Sequence, residues 1–173
     1  DWDCAEYSKL WRYNLHYFDY LLDQELHIES DRRFIDSWID NNPPGMEDAW
    51  EPYTLSLRIV NWVKYFASIY PHEIPHRWLC SLHQQAQFLE QQIEYHILAN
   101  HYLKNGVALL FAGIFFVGED ANRWRQKGMK IILEEADEQL LEDGGHYERS
   151  PMYHSIVTED YLDVFNLLES NDS

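Results

Sequence analysis

The segment from Asp143 to His154 concentrates side chains that exchange protons or bind anions. Its chemically active residues are His146, Tyr147, Glu148, Arg149, Tyr153 and His154. The glycine pair near its start is expected to end one helix, and Ser150-Pro151 is expected to cap and begin the next. Tyr153 then lies in a first helical turn, where the positive end of the helix dipole favours a phenolate and suits proton transfer. The alternative is a structured loop whose polar groups satisfy one another.

A second pair of polar residues, Asn100-His101, precedes an apolar stretch that is predicted to be helical. At the start of a helix both side chains can point into a cleft, beside backbone amides that hold an anion. Asparagine is also a favoured capping residue, so Asn100 serving only as a cap is the alternative interpretation.

A third group combines the segment Trp50 to Tyr53 with Arg58 and Asn61. Arg58 and Asn61 are three residues apart on one predicted helix, so both can reach the same neighbour. Bracing of the helices and contact with a ligand are equally compatible with this spacing.

Other catalytic patterns are weakly represented. There is no His-Glu-x-x-His sequence, and Cys4 and Cys80 form neither a paired metal motif nor a disulfide framework, so no metal is expected. A Gly-x-Ser-x-Gly turn is absent, which argues against a serine hydrolase. A glycoside hydrolase remains open, because Asp143, Glu148 and Glu51 can supply the two carboxyl groups it needs.

Composition and charge narrow the class of partner. The net charge of −17 argues against nucleic acid, whose binding proteins need a basic face. The dense acidic run from Glu134 to Asp143 is typical of one solvated helix face. The apolar run from Val107 to Val117 is too short to span a membrane. Aromatic residues make up 16% of the chain, enough either to fill a core or to line a sugar-binding groove as well.

The elements that must position these residues are predicted to be seven helices without a convincing strand. Leu10 to Leu22 and Arg32 to Ile39 are read as the first two, separated from the rest by a loop from Asn41 to Pro52. Asn105 to Val117 is apolar on all sides and is expected to be buried all round. The other helices are predicted from apolar stripes at Ile59, Trp62, Val63, Phe66 and Ile69; at Leu79, Leu82, Ala86, Leu89 and Ile93; at Met129, Ile132, Leu133, Ala136 and Leu140; and at Val157, Tyr161, Val164, Phe165 and Leu168. Short connections favour antiparallel helical hairpins in a single all-α domain.

These residues resemble the heparinase II/III-like family of polysaccharide lyases. The motifs that carry the resemblance are Leu10 to Tyr20, Trp50 to Tyr53, Leu57 to Trp62, Asn100-His101 and Asp143 to His154. The likeness is to the N-terminal helical domain of the family and covers nearly the whole chain. It implies part of an incomplete α/α toroid, followed in the complete enzyme by a β-sandwich domain that this chain lacks. The isolated chain is therefore expected to be inactive or nearly so.

The resemblance also implies roles for single residues in the β-elimination of a uronic-acid polysaccharide. Asn100 matches the residue that neutralises the uronate carboxylate. Tyr153 matches the tyrosine that acts as general acid and, in some members of the family, also as base, with His101 and His154 assisting. Contacts with the acidic polysaccharide are expected from Arg149, Glu148, His146, Arg58, Asn61 and Trp50. No cofactor is needed for this chemistry. The alternatives are a toroid glycoside hydrolase and a non-catalytic carbohydrate-binding module.

Two further expectations concern the substrate and the location. The negative charge of the chain should slow its encounter with heavily sulfated heparin, which favours a polymer of lower charge density. The family resemblance favours a periplasmic or secreted enzyme, although the sequence itself shows no signal peptide.

Overall fold

The computed structural model describes residues 1–22, 28–70, 72–95 and 100–171, and these contain seven α-helices. Their bounds are α1 Lys9–Tyr17, α2 Ile28–Asn41, α3 Pro52–Ser68, α4 His76–Gln91, α5 Asn100–Phe115, α6 Glu119–Gln139 and α7 Pro151–Asn171. A short 3-10 helix covers Asp19–Leu22. Within the described ranges, the only β-type pairing is an isolated bridge between Leu140 and His146. The predicted all-α class is confirmed. The chain divides into two compact units, Asp1–Gln92 and Ile93–Ser173.

The first unit has a core built from large aromatic side chains. Its fully buried residues include Phe18, Trp38, Trp62, Tyr65, Phe66 and Trp78. Trp38 and Trp62 meet edge to face with ring centroids 5.6 Å apart, an arrangement that the quadrupoles of aromatic rings favour. Because this core is filled by bulky rings, the separation of its helices is set by side chains.

The single helix expected from Leu10 to Leu22 is broken in two. Phe18 adopts a left-handed conformation with φ of 62°, which ends α1 and leads into the 3-10 helix. This backbone strain accompanies complete burial of the Phe18 ring, which lies 5.5 Å from the Trp62 ring. The helical pattern alone cannot reveal such an interruption, because aromatic and aliphatic residues recur on both sides of Phe18.

The next three helices follow the predicted pattern and begin before it, although Ile69 and Ile93 lie just beyond the ends of α3 and α4. The helix predicted from Arg32 to Ile39 lies within α2, which reaches Asn41 at the start of the predicted loop. Pro52 occupies the first turn of α3, where its missing N–H costs nothing. The predicted stripe of α3 is buried, while Leu79 at the start of the α4 stripe is only partly covered.

In the second unit, α5 and α6 pack with their backbones in close contact, and glycine makes this possible. A methyl group on Gly128 would lie 2.6 Å from the Gly106 carbonyl oxygen and 2.6 Å from the Leu110 nitrogen. One on Gly113 would lie 2.5 Å from the Arg125 nitrogen. Since later residues of α5 meet earlier residues of α6, the two helices are antiparallel, as the sequence predicts.

The buried face of α6 differs from the predicted stripe. Leu133 is 59% exposed and Leu140 is 39% exposed, while Glu135 and Gln139 are buried. The buried positions are Ala121, Trp124, Gly128, Ile131, Ile132, Glu135 and Gln139, which keep helical spacing. The prediction was wrong here because it followed apolar residues, whereas this face continues through glycine and two polar residues.

The bounds and burial of α5 and α7 also depart from the expectations. Helix α5 starts at Asn100 and is continuously buried only from Asn105 to Gly113. Val117, at the end of the predicted apolar helix, lies beyond α5 and is 96% exposed, so the predicted burial is not complete. On α7, Val157 and Val164 are buried as predicted, whereas Phe165 is 59% exposed. No described helix is both long enough and apolar enough to cross a membrane.

Candidate functional site

The segment between α6 and α7 forms a small hairpin that fixes the start of α7. The Leu141 N–H donates to the Gly145 carbonyl at 2.9 Å, and Gly144 takes a φ of +81° within the turn. The glycine pair therefore builds this turn, while α6 ends earlier, at Gln139, because Leu140 is extended and pairs with His146.

His146 is buried and connected to α6 by a chain of polar side chains. Its Nδ1 accepts the Glu148 backbone N–H at 3.3 Å, so its Nε2 carries the proton and donates to Gln139 Oε1 at 2.9 Å. Gln139 in turn donates to the Glu135 carboxylate. Burial raises the pKa of Glu135, and the hydrogen bond from Gln139 partly offsets this. The chain holds the His146 ring in one orientation and one tautomer.

Tyr153 lies in the first turn of α7 beside that ring. The helix begins at Pro151, and the Tyr153 N–H is 3.5 Å from Ser150 Oγ, so the predicted serine cap and proline start are confirmed. The Tyr153 ring is half-buried, and its centroid is 6.3 Å from that of His146. His146 is 3% exposed, so it supports Tyr153 from the protein interior and offers little surface to a ligand.

The remaining predicted residues of the segment lie on its surface. Glu148, Arg149 and His154 are exposed, and Arg149 has a positive φ of 54° immediately before the cap residue of α7. A positive φ is unusual for a residue with a side chain and is found most often where the surrounding structure enforces it. These three groups are accessible to a ligand from solvent.

Asn100 and His101 form the first turn of α5, and both are half-buried. His101 Nδ1 is 3.2 Å from a carboxylate oxygen of Glu94, whose side chain is only 10% exposed. Asn105 holds Glu94 by two hydrogen bonds. Its Nδ2 donates to the carboxylate oxygen Oε2 at 3.3 Å, and its Oδ1 accepts the Glu94 backbone N–H at 2.9 Å. His101 is therefore oriented by the buried carboxylate of Glu94, a residue that Asn105 holds at both its side chain and its backbone.

Helices α5 and α7 run parallel, because each is antiparallel to α6. The α6–α7 pairing follows from the Leu140–His146 bridge and from the hydrogen bond of Tyr161 to the Ile132 carbonyl at 3.2 Å. An ion pair joins α5 directly to α7, since Lys104 Nζ lies 2.6 Å from Asp160 Oδ1.

The Lys104–Asp160 contact shows how the starts of α5 and α7 are positioned relative to each other along the helix axes. Because Lys104 and Asp160 are in contact, Asn100 and Ile156, each four residues earlier, lie at a similar height along the two parallel axes. Tyr153 lies three residues before Ile156. At a rise of about 1.5 Å per residue, Tyr153 and Asn100 are separated along the helix axes by about 4.5 Å, or roughly one turn. Both residues therefore lie at the same end of the second unit.

Burial governs the chemistry of the Lys104–Asp160 pair. It raises the pKa of Asp160 to about 6, while the neighbouring Lys104 ammonium acts in the opposite direction. The second carboxylate oxygen of Asp160 is buried and has no hydrogen-bond partner in the described structure. An acid held this way gains a proton more readily than an exposed one.

The candidate residues in the first unit are Trp50, Arg58 and Asn61. Each donates hydrogen bonds to other parts of the protein, as expected if these residues brace the helices. Arg58 is fully buried and donates to Gln85 Oε1 at 2.8 Å and to the Ala49 carbonyl at 2.8 Å. Burial lowers the pKa of Arg58 well below its usual value. Asn61 and Trp50 also donate to backbone carbonyls, those of Tyr17 at 2.9 Å and Asn42 at 3.0 Å.

Sequence reasoning missed the residues that hold the site residues in place. These are Glu94, Asn105, Glu135 and Gln139. A signal for two of them was present, since Glu135 and Gln139 extend the spacing of Trp124, Gly128 and Ile132 along α6. Glu94 carried no comparable signal, because it is fixed by a residue 11 positions later. The described residues contain no group of three or more His, Cys, Asp or Glu side chains arranged to hold a metal ion.

Comparison with known proteins identifies the family. The family model described as Heparinase II/III N-terminus matches residues 6–173, and the chain belongs to this family. It is 31% identical over 139 residues to a heparin-sulfate lyase of Pedobacter heparinus, covering 74% of this chain and 21% of that protein. A heparin-sulfate lyase of Bacteroides thetaiotaomicron is 29% identical over 158 residues, covering 85% of this chain and 22% of that protein.

Solved structures share the fold. A crystal structure of heparinase III matches with a TM-score of 0.71 and 23% identity, covering 94% of this chain and 26% of that one. A heparinase III structure with methylated lysines matches with a TM-score of 0.74 and 20% identity, covering 99% of this chain and 32% of that one. The chain spans about a fifth to a quarter of the length of the curated relatives that it matches.

Proposed function

We propose that this chain supplies the carboxylate-neutralising and proton-donating side of a polysaccharide lyase centre, which cleaves a uronic-acid polysaccharide by β-elimination. The observation that carries the proposal is the placement of Asn100 and Tyr153 at the same end of two parallel helices, about one turn apart. The names of the curated relatives support lyase chemistry on an acidic polysaccharide.

The proposed step removes the proton at C5 of the uronate and breaks the bond between C4 and its glycosidic oxygen. A charged carboxylate makes that proton weakly acidic, so hydrogen bonding from Asn100 to the carboxylate stabilises the carbanion-like transition state. The electron pair forms the C4–C5 double bond, and the leaving oxygen takes a proton from the Tyr153 hydroxyl. The C5 proton goes to a base outside this chain; alternatively, Tyr153 starts as a phenolate, takes the C5 proton and passes that same proton to the leaving oxygen.

Neighbouring residues have supporting roles in this proposal. His101, oriented by Glu94, assists Asn100, while buried His146 keeps the Tyr153 ring in place. Exposed Arg149 contacts an anionic group of the sugar, and Glu148 and His154 complete the polar surface around the start of α7. A β-sandwich domain outside this chain is expected to supply the opposite wall of the groove, and we place the reaction in the periplasm or outside the cell.

The test is ultraviolet absorbance of the intact protein incubated with a panel of uronate polymers. The wild type should generate the unsaturated uronate chromophore, and Tyr153→Phe should lower the rate by at least 100-fold, the lower range for loss of a general acid. Tyr147→Phe is the matched control, since Tyr147 lies in the same segment and keeps its ring against His146 at 4.9 Å. Its rate should stay within about twofold of the wild type, because Tyr147 lies outside the proposed proton path.

Other outcomes would replace the proposal. New reducing ends without the chromophore would identify a hydrolase, for which Asp143 and Glu148 are the candidate acids. Asp143 already accepts the Gly145 N–H at 2.9 Å within its own turn. Binding of a polymer without any bond cleavage would identify a carbohydrate-binding module.

A further inference from the structure

The basic residues of this acidic chain are unevenly distributed. Four of its 13 lysines and arginines lie between residues 123 and 130, in the first half of α6, although the net charge is −17. The second half of the same helix begins the acidic run from Glu134. A chain that repels anions overall therefore carries one short region where cations are concentrated.

Three of these cations border a groove of about 340 Å³ on the second unit. The groove is lined by Tyr95, Tyr102, Arg123, Gln126, Lys127, Lys130 and Ile131. Arg123, Lys127 and Lys130 are spaced by four and three residues, which places them on one face of α6. Arg125 lies elsewhere on the helix and lines a different pocket, beside Gly113 and Leu168.

Two tyrosines provide the aromatic part of the groove. The Tyr95 and Tyr102 rings are 5.4 Å apart, and Tyr95 is 61% exposed. Burial, followed by the nearby carboxylate of Glu134, raises the pKa of Tyr102 to about 12, so its hydroxyl stays protonated. It donates to Glu134 at 3.4 Å, a long and exposed hydrogen bond that it can exchange for one to a ligand. Apolar ring faces beside hydrogen-bond donors and cations match the apolar and polar faces of a charged sugar.

The cations already have acidic neighbours, but the pairs are exposed. Arg123 bonds to Asp120 at 2.7 Å, and Lys130 lies 3.7 Å from Glu134. Their side chains are 48% and 74% exposed, respectively. Ion pairs between such exposed groups are weak and exchange readily for another anion. Glu134 contacts two residues that line the groove, Tyr102 and Lys130, so an anionic ligand must replace its carboxylate at both.

We infer that this groove is a second binding site for an acidic oligosaccharide, separate from the proposed elimination centre. Tyr102 follows Asn100 by two residues, so the two side chains leave α5 about 200° apart around the helix axis. The groove therefore lies on a different face of α5 from Asn100. The choice of an acidic saccharide agrees with the proposed function, but binding at this site does not depend on bond cleavage.

Lysine footprinting of the intact Tyr153→Phe variant tests the location of the site. The protein is treated with limiting acetylating reagent, with and without a saturating octasaccharide, and peptide masses give the modification at each lysine. Protection of Lys127 and Lys130, without protection of Lys9, is expected. Lys9 is a suitable control because its side chain is 58% exposed and belongs to the other unit. Equal acetylation of Lys127 and Lys130 in both conditions would overturn the inference.

A titration with two octasaccharides identifies the recognised anion. One is a sulfated heparin fragment and the other an unsulfated polyuronate. Replacing Arg123, Lys127 and Lys130 with glutamine should weaken binding to the groove roughly tenfold, as expected for three exposed charge contacts. Arg125→Gln removes the same kind of charge from the same helix and should leave the affinity within about twofold, because exposed ion contacts away from the ligand contribute little.

The aromatic contribution is tested at the exposed tyrosine. Tyr95→Ala should weaken binding about fivefold, and Tyr95→Phe should retain it. Equal affinity of the triple variant and Arg125→Gln for both octasaccharides would contradict the inference. Because every variant also carries Tyr153→Phe, the result is independent of the elimination test, and each proposal can fail without the other.

Discussion

The two compact units are packed by opposite means. In the first, large rings separate the helices, and Trp38, Trp62 and Trp78 are completely buried. In the second, the α5 and α6 backbones touch at glycines, with buried side chains such as Ile131 and Trp124 beside these contacts. Side chains in an aromatic core can change rotamer to accommodate a small increase in volume. Backbone atoms that touch each other have no such freedom, so added volume there must move a helix. The candidate site is located on the second unit, which is the less adaptable of the two.

The units also differ in which buried groups have shifted pKa values. In the first, burial lowers the pKa of Arg58 and His16, and in the second, it raises the pKa of Glu135 and Asp160. Burial disfavours the charged form of each group, so acids and bases shift in opposite directions. Through these groups, the same change in pH should therefore act on the stabilities of the two units in opposite senses.

The largest expected effect comes from adding one methyl group at Gly128. Gly128→Ala should lower the free energy of unfolding of the second unit by about 3 kcal/mol or more, at the upper end for overpacking, because the new methyl group meets backbone atoms. Denaturant unfolding of the intact protein, followed by hydrogen exchange of α5 and α6 peptides, measures the loss. Asn122→Ala, at an exposed site of α6, is the control and should change stability by less than about 0.5 kcal/mol. A wild-type exchange rate in Gly128→Ala would contradict the prediction, because it would show that the contact between the helices accommodates the methyl group.

His16 provides the next effect, in the first unit. Burial, aided by the positive charge of Arg58, lowers the pKa of His16 to about 4, and its Nδ1 accepts a hydrogen bond from Trp38 at 3.0 Å. Between pH 6.5 and pH 4 the unfolded chain takes up a proton that the folded chain excludes. Stability should fall by about 2 to 3 kcal/mol as the pH drops through this window. His16→Asn should lack this contribution, which unfolding curves at several pH values would measure.

Asp160 should produce a smaller effect of opposite sign. Its pKa is raised from 3.8 to about 6, so as the pH falls below 6 the folded chain takes up a proton before the unfolded chain does. Asp160 should therefore add about 1 to 2 kcal/mol of stability to the second unit on acidification to pH 4. Asp160→Asn should lose this gain, while Glu159→Gln, at an exposed neighbour, should keep it. Parallel pH dependence of hydrogen exchange in the two units would contradict the contrast.

The sequence predicted those features that depend on neighbouring residues. The seven helices found in the described part of the chain, the Ser150 cap and the start of α7 at Pro151 follow from local patterns and are confirmed. The break at Phe18 was missed because it depends on burying the ring against Trp62, a contact across 44 residues. A local pattern cannot show that the strained backbone of Phe18 is offset by a contact with a residue far along the chain.

The candidate site shows the same division between local and distant information. Residue types and motifs indicated Asn100, His101 and Tyr153, and their catalytic roles remain predictions. The structure adds what orients them, such as Glu94 beside His101 and Gln139 behind His146. The buried polar face of α6 was misread because apolar periodicity treats Glu135 as a solvent-facing residue.

The parallel arrangement of α5 and α7 limits where this chain can gain or lose residues. Each residue inserted within α6 after Gly128 would turn the rest of that helix by about 100° and carry the start of α7 around it, away from Asn100. A lengthened hairpin tip near Gly144 would leave both helix starts in place. Homologous chains that keep the site should therefore vary in length at the tip and keep the stretch from Gly128 to Gln139 constant.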